Sequence, residues 1–331
     1  MIKILFFWFG VLLISAWAAH WGAGKLSFPL KMLRRQWGLT SSAGAALLAI
    51  VTASPEVSIN ITSAVRGVSD IGLGNLLGSN IISIPLIITV SYFASRKSYK
   101  NNQKHEQHLK NEFLALNKRT VKVLALPYLA IIVLTAFLTL PQGWRGLQPA
   151  DGYIMLIAYV IFLFQAIMTG KQEGEEVSWS WTKLILSIAG AAAIAIGAYY
   201  IVRATENIVQ ILGIPQLIGG LFITGPLTTL PEIFQAWNVS KEGEITSGST
   251  SVIADNVITL TIGFVPLALV STVINDLTLY IINILFVALM PLFYTIFIRE
   301  DKERYGFTKT EIITFNLLYL LYIMIILIFL L

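Results

Sequence analysis

The sequence predicts an all-α polytopic membrane protein of ten transmembrane helices arranged as two inverted five-helix repeats, and three observations carry that prediction. Of 331 residues, 56% are hydrophobic and 12% charged, with a mean hydropathy of +0.75, far more apolar surface than a soluble core of this length would bury. The apolar residues gather into ten stretches, each close to the roughly 20 residues that cross about 30 Å of hydrocarbon. The chain also repeats itself. Shifted by 176 residues without a gap, Thr52-Ala53-Ser54-Pro55-Glu56 falls on Thr228-Thr229-Leu230-Pro231-Glu232, and Gly67, Gly72, Asn80, Ile82 and Ser83 then meet Gly243, Gly248, Asn256, Ile258 and Thr259. Five crossings per half is an odd number, so the second half enters from the opposite face.

The first stretch, about 4–19, resembles a secretory signal, with Lys3 ahead of it and Ala16-Trp17-Ala18 as a cleavage-like end. The basic flank Lys25, Lys31, Arg34 and Arg35 favours a retained helix whose following loop stays inside. Segment two, about 43–64, is interrupted at Pro55, and segment three covers about 71–94. The hydrophilic stretch 95–120 follows. Eight Lys or Arg between Arg96 and Lys122 surround His105 and His108, a composition that predicts a solvated basic loop near anionic headgroups rather than a metal site. Segments four and five cover about 121–140 and 153–169.

The first repeat therefore spans 1–170, a cytoplasmic linker 171–180 carries Glu173, Glu175 and Glu176, and the second repeat spans 181–331. In it, segment six covers about 181–202, segment seven about 214–239 with its interruption at Pro231, segment eight about 245–272, segment nine about 277–298 and segment ten about 312–331. Orientation follows from charge. The side holding both termini carries four of the 23 Lys and Arg (Lys3, Arg66, Arg145, Arg203), and the other side carries the remaining 19. The positive-inside rule places both termini outside the cytoplasm, in a multi-pass protein of the cell membrane.

The chemistry lies on segments two, three, seven and eight. A carboxylate in hydrocarbon costs several kcal/mol unless it meets a partner, so Glu56 and Glu232 mark a functional site. Pro55 cannot donate to the turn before it, which predicts free carbonyls at Val51 and Thr52 beside Glu56. On segment three, Asn75, Ser79 and Ser83 recur every four residues on one face; the aligned positions on segment eight are Ser251, Asp255 and Thr259. Hydroxyls and small residues also serve close helix packing, but a lone aspartate among Ile253, Val257 and Ile258 needs a cation or a proton. With no cysteine in the chain, disulfides and thiolate sites are excluded. Carboxylate, carbonyl and hydroxyl oxygens suit hard cations such as Ca²⁺, Mg²⁺ or Na⁺. Calcium takes roughly 6 to 8 oxygens, and Glu56, Glu232 and the backbone carbonyls of Thr52 and Thr228 supply several. Three acidic groups around a divalent ion leave one negative charge for a monovalent ion or a proton.

Thr-Ala-Ser-Pro-Glu at 52–56, followed by Gly-Asn-Leu-Leu-Gly-Ser-Asn-Ile-Ile-Ser at 74–83, resembles the first alpha-repeat of the sodium/calcium exchanger family, within the cation/Ca²⁺ exchanger superfamily. Thr228-Thr229-Leu230-Pro231-Glu232 is similar to the second. The two alpha-repeats then fall at about 43–94 and 214–272. The resemblance implies Glu56 and Glu232 as central calcium ligands, with the Thr52 and Thr228 backbone and the Ser79 side chain contributing to flanking sodium sites. Two departures stand out. Ser83 and Thr259 occupy positions where the family carries Asn or Asp, and Asp255 stands where it carries Ser, so one carboxylate has moved by a helical turn. The glutamate context of the proton/calcium branch is absent.

The function expected is secondary-active antiport of Ca²⁺ against Na⁺ by alternating access at a midplane site, with H⁺ coupling or another divalent ion such as Mg²⁺ as alternatives. An intramembrane enzyme or a channel is the remote alternative: the three histidines, His20, His105 and His108, fall outside the apolar segments, and duplicated inverted halves favour alternating access over a pore. No cofactor, nucleic acid or obligate protein partner is expected; the partners are inorganic cations and the lipid bilayer.

Overall fold

A computed structural model describes residues 2–39, 41–96, 112–168, 173–301 and 304–330. The first half contains α1 (Ile2–Gln36), α2 (Ser41–Thr52), α3 (Ser54–Val65), α4 (Ser69–Ser95), strand β1 (Phe113–Ala115), α5 (Lys118–Thr139) and α6 (Pro149–Met168). The second half contains α7 (Trp181–Leu212), the short α8 (Gln216–Gly219) leading through a π-helical turn (Gly220–Thr224) into α9 (Gly225–Lys241), then α10 (Ile245–Thr261), α11 (Phe264–Leu269), α12 (Leu277–Phe297), β2 (Arg299–Asp301), β3 (Arg304–Thr308) and α13 (Lys309–Leu330). Eight helical stretches among the described residues are long and apolar enough to cross a membrane. The α2–α3 pair and α5 complete the ten crossings of a multi-pass integral membrane protein, five in each half.

The termini of these helices sort onto two faces. On one, β3 pairs antiparallel with both β1 and β2, tying the α4–α5 link to the α12–α13 link; the Asn117 amide donates to Thr246 Oγ1 at 3.1 Å, adding the start of α10. On the other, Arg66 after α3 pairs with Glu206 near the end of α7 at 2.7 Å, and Leu147 N, before α6, donates to Thr272 O, after α11, at 2.9 Å.

Helices α4 and α10 form the centre, buried along most of their length, and α4 touches α3, α9, α10, α12 and α13. Small residues permit this closeness. A Cβ placed on Gly78 would lie 2.6 Å from the Leu221 carbonyl, and one on Gly74 2.7 Å from Gly220 Cα, so these glycines let α4 press against the π turn. Helices α1 and α7 pack chiefly on each other at the periphery.

Several expected boundaries shift. Helix α1 continues to Gln36, so Lys25, Lys31, Arg34 and Arg35 sit on its last turns rather than in a loop, and His20 lies inside it, its ring centroid 5.4 Å from that of Phe234. Segment seven is not broken at Pro231: α9 runs straight through that proline, and the irregularity is the π turn, closed by Gly225 N–H bonding Gly220 O. Pro231 still leaves the Leu227 carbonyl without a helical donor. Segment eight is interrupted at Ile262–Gly263, just before Pro266, which cannot donate to the Ile262 carbonyl. The histidines at 105 and 108 lie outside the described residues.

Candidate cation-binding site

The break in the first half lies between α2 and α3. Ala53 N still donates to Ala49 O at 2.9 Å and Val57 N to Ala53 O at 3.0 Å, with Pro55 in the first turn of α3, where its missing N–H costs least. The Val51 carbonyl, expected to be free, accepts the Ser54 hydroxyl at 2.6 Å. Glu56 follows at once, with 0% exposure. Glu232 on α9 and Asp255 on α10 are 5% and 2% exposed, and one ligand oxygen from each of the three lies within 4.8 Å of the others. Both Glu56 carboxylate oxygens, Glu232 Oε2 and Asp255 Oδ2 have no hydrogen-bond partner among the described residues.

Energetics make such a cluster a candidate cation site. Two like charges at that separation repel by about 3.5 kcal/mol at an effective dielectric of about 20, so three pairs cost on the order of 10 kcal/mol. Only positive charge or protons offset that, and four unbonded carboxylate oxygens are the ligands a hard cation takes.

The surrounding polar groups form two sets. Thr52 Oγ1 donates to Asp255 Oδ1 across the two halves, with the Ala49 carbonyl as its other acceptor at 3.2 Å. Thr228 Oγ1 has the corresponding choice, Asn75 Oδ1 at 3.2 Å or the Gly225 carbonyl at 3.0 Å. Asn75 Nδ2 donates to Asn60 Oδ1 at 3.0 Å, with the Glu56 carbonyl at 3.5 Å. The remaining hydroxyls predicted from sequence bond elsewhere. Ser79 faces the Leu76 carbonyl at 3.5 Å, Ser251 donates to Gly248 O at 3.0 Å, Thr229 to Gly225 O at 2.9 Å and Thr259 to Asp255 O at 3.1 Å. Ser83 Oγ donates to Asn256 Oδ1 at 3.0 Å. Glu56, Glu232, Asp255 and Thr52 are thus brought together, Thr228 and Asn75 stand beside them, and Ser83, Thr259 and Thr229 direct their protons away.

Two residues were missed. Gln235, three residues after Glu232, joins Thr52, Glu232, Ser251, Val252 and Asp255 in lining a cleft too narrow to hold a water molecule. Asn60, one turn after Glu56, is fully buried and donates to the Gly263 carbonyl at 3.0 Å. Each was legible as an amide within a membrane-spanning segment.

Known proteins resemble the chain throughout. The sequence pattern of the family described as "Sodium/calcium exchanger protein" matches residues 7–168 and 182–328. The putative antiporter CaxA of Alkalimonas amylolytica is 23% identical over 251 residues, 72% of either chain. Among solved structures, the sodium-calcium exchanger NCX_Mj soaked with 10 mM Na⁺ and 10 mM Sr²⁺ aligns with a TM-score of 0.66 at 21% identity, over 97% of this chain and 98% of that one. The H⁺/Ca²⁺ exchanger CAX aligns at 0.75 and 16% identity, over 97% and 82%. At such identities these two show a shared fold. Since the family pattern covers both halves, the chain belongs to the sodium/calcium exchanger protein family, whose members are cation antiporters rather than enzymes.

Proposed function

We propose that this protein exchanges Ca²⁺ for Na⁺ across the cell membrane, with both termini outside the cytoplasm and the halves 1–170 and 181–331 joined by a cytoplasmic linker at 171–180. The observation that carries the reading is the buried carboxylate cluster at the junction of the repeats, one acid from segment two, one from segment seven and one from segment eight. Glu56 and Glu232 stand at equivalent positions and bind the divalent ion together, neutralising two charges. Asp255 holds the third. That leftover charge is the natural place for a monovalent cation, and the Thr52 hydroxyl beside it supplies a further oxygen once its proton turns to the Ala49 carbonyl. Alternating access follows from the inverted halves, which present one site to either face in turn.

A second reading has its own observation: Asp255 is buried within the carboxylate cluster and stands where the repeat carries Ser79, so the third charge can be met by a proton instead of Na⁺. Purified protein in sealed vesicles separates the two. Calcium uptake driven by an outward Na⁺ gradient at equal pH supports the first, uptake driven only by a proton gradient supports the second, and uptake of Mg²⁺ in place of Ca²⁺ would move the reading to another divalent ion.

A further inference from the structure

A cavity of about 140 Å³ lies apart from the carboxylate cluster, on the face opposite the β-sheet. Four helix ends meet around it: the start of α4, the start of α8, the start of α12 with the link before it, and the end of α13. Leu73, Leu217, Ile274, Leu279 and Phe329 make most of its wall apolar. An apolar cavity of about 150 Å³ admits benzene, so this one has room for a single six-membered ring.

Polar side chains in the wall are mostly engaged with the protein. Tyr280 donates its hydroxyl to Thr139 Oγ1, outside the wall, at 2.9 Å. Asp276 Oδ1 caps α12 by accepting from Leu279 N at 2.9 Å, and Asn275 Nδ2 donates to Asp70 Oδ2 at 3.2 Å. Asp70 is left with most of its capacity, since an ionised carboxylate has about four acceptor positions and one amide fills one of them. Its charge is also unmatched. Arg66, one turn earlier in the chain, is taken by Glu206 at 2.7 Å, and among the described residues no ion pair reaches Asp70.

A bare metal cation does not suit this wall. Calcium takes roughly 6 to 8 oxygens, and Asp70 and Asp276 supply too few where aliphatic carbon fills most of the remaining directions. An organic ammonium ion matches both parts of the pocket. Its N–H groups satisfy the half-buried Asp70, and its hydrocarbon body covers the leucines, Ile274 and Phe329.

We propose that this pocket binds a small organic monocation: a primary ammonium carried on a single ring, or on a branched alkyl group of that size. Asp70 accepts the ammonium N–H bonds and sets the charge requirement, while Ile274 and Leu279 limit the size of the body. A bound ring touches α4, α8, α12 and α13 at once. The pocket shares no residue with the cluster of Glu56, Glu232 and Asp255, so the proposal stands independently of the antiport reading.

The test is fluorine NMR of para-fluorobenzylammonium with the purified full-length protein in detergent micelles, the broadening by protein-free micelles being subtracted. Saturable binding is expected, and Asp70→Asn, which keeps the side-chain shape, raises the dissociation constant about 10-fold or more. The neutral counterpart, para-fluorobenzyl alcohol, binds the wild type at least about 10-fold more weakly, and Asp70→Asn does not weaken it further. Methylammonium, which has the charge without the ring, does not displace the probe at equal concentration. Ile274→Phe fills the cavity and weakens both ring compounds; if it fails to run as a single species on gel filtration, Asp70→Asn and the alcohol decide. Glu56→Gln leaves binding within about 2-fold. Equal affinity in wild type and Asp70→Asn, an alcohol bound as tightly as the ammonium, or no broadening beyond that of the micelles would overturn the proposal. So would loss of binding in Glu56→Gln, which would place the ammonium in the central cluster.

Discussion

Thr52 donates its hydroxyl proton to Asp255, joining the end of α2 in the first half to the middle of α10 in the second. The same hydroxyl can turn to the Ala49 carbonyl, and Thr228 has the same pair of options across the repeat, Asn75 or the Gly225 carbonyl. Each threonine is therefore a rotor that satisfies its partner side chain when no cation is bound and frees its oxygen when one arrives. Thr52→Ser keeps the rotor and should transport normally. Thr52→Val removes the oxygen that turns to the bound cation, and should raise the half-saturating coupling-ion concentration about 10-fold in vesicle flux.

Glu56→Gln and Glu232→Gln should each abolish divalent transport while the protein still purifies as a single species. Each removes one negative charge from a site that must replace the hydration shell of a divalent ion, and each lowers the repulsion within the ion-free cluster. Without Ca²⁺ the variants should therefore be at least as thermally stable as the wild type. Flux at the wild-type level from either variant would refute the assignment.

Gly78 tests the centre of the fold. An added Cβ would sit 2.6 Å from the Leu221 backbone carbonyl, and neither backbone can move without displacing the π turn. Gly78→Ala should lower stability by about 1–3 kcal/mol, read as a drop in Tm by size-exclusion after heating. Gly10→Ala, where nothing lies within 4 Å, should not.

Orientation can be read with an impermeant label. Tags at either terminus should react from outside intact cells, and a tag within residues 101–111 should react only after lysis. The reverse pattern would invert the proposed topology.

What the sequence made legible was what depends on residue identity. Pro55 with Glu56, their echo at Pro231 and Glu232, and a lone aspartate at 255 are costly residues in hydrocarbon, and cost singles them out without coordinates. The places where helices bend were less legible. Pro231 reads like Pro55, yet α9 passes through it and the irregularity falls at the π turn Gly220–Thr224, where glycines on α4 admit a wider coil. The pairing of β1 with β3 joins segments about 190 residues apart, beyond any local pattern. Gln235 and Asn60 were visible as amides but acquired meaning only from what they face: a cleft for one, Asn75 and Gly263 for the other.

Asp255 decides the coupling. If Glu56 and Glu232 balance the divalent ion, then Asp255→Asn removes the surplus charge, keeps the side-chain shape and leaves Thr52 an oxygen to bond. Calcium binding should survive to within about 10-fold, because the two glutamates remain. Calcium/calcium exchange, which needs only the central pair, should persist, and uptake driven by a monovalent gradient should collapse. Where Na⁺ is the coupling ion, the variant loses its Na⁺ dependence and its pH profile stays as in the wild type. Where a proton is, wild-type flux varies with pH and the variant's does not, since an amide has no proton to exchange in that range. A variant whose calcium binding falls as far as that of Glu56→Gln would make Asp255 a third ligand of the divalent ion, and the separation of divalent and monovalent charges argued from Thr52 and Asp255 would fail.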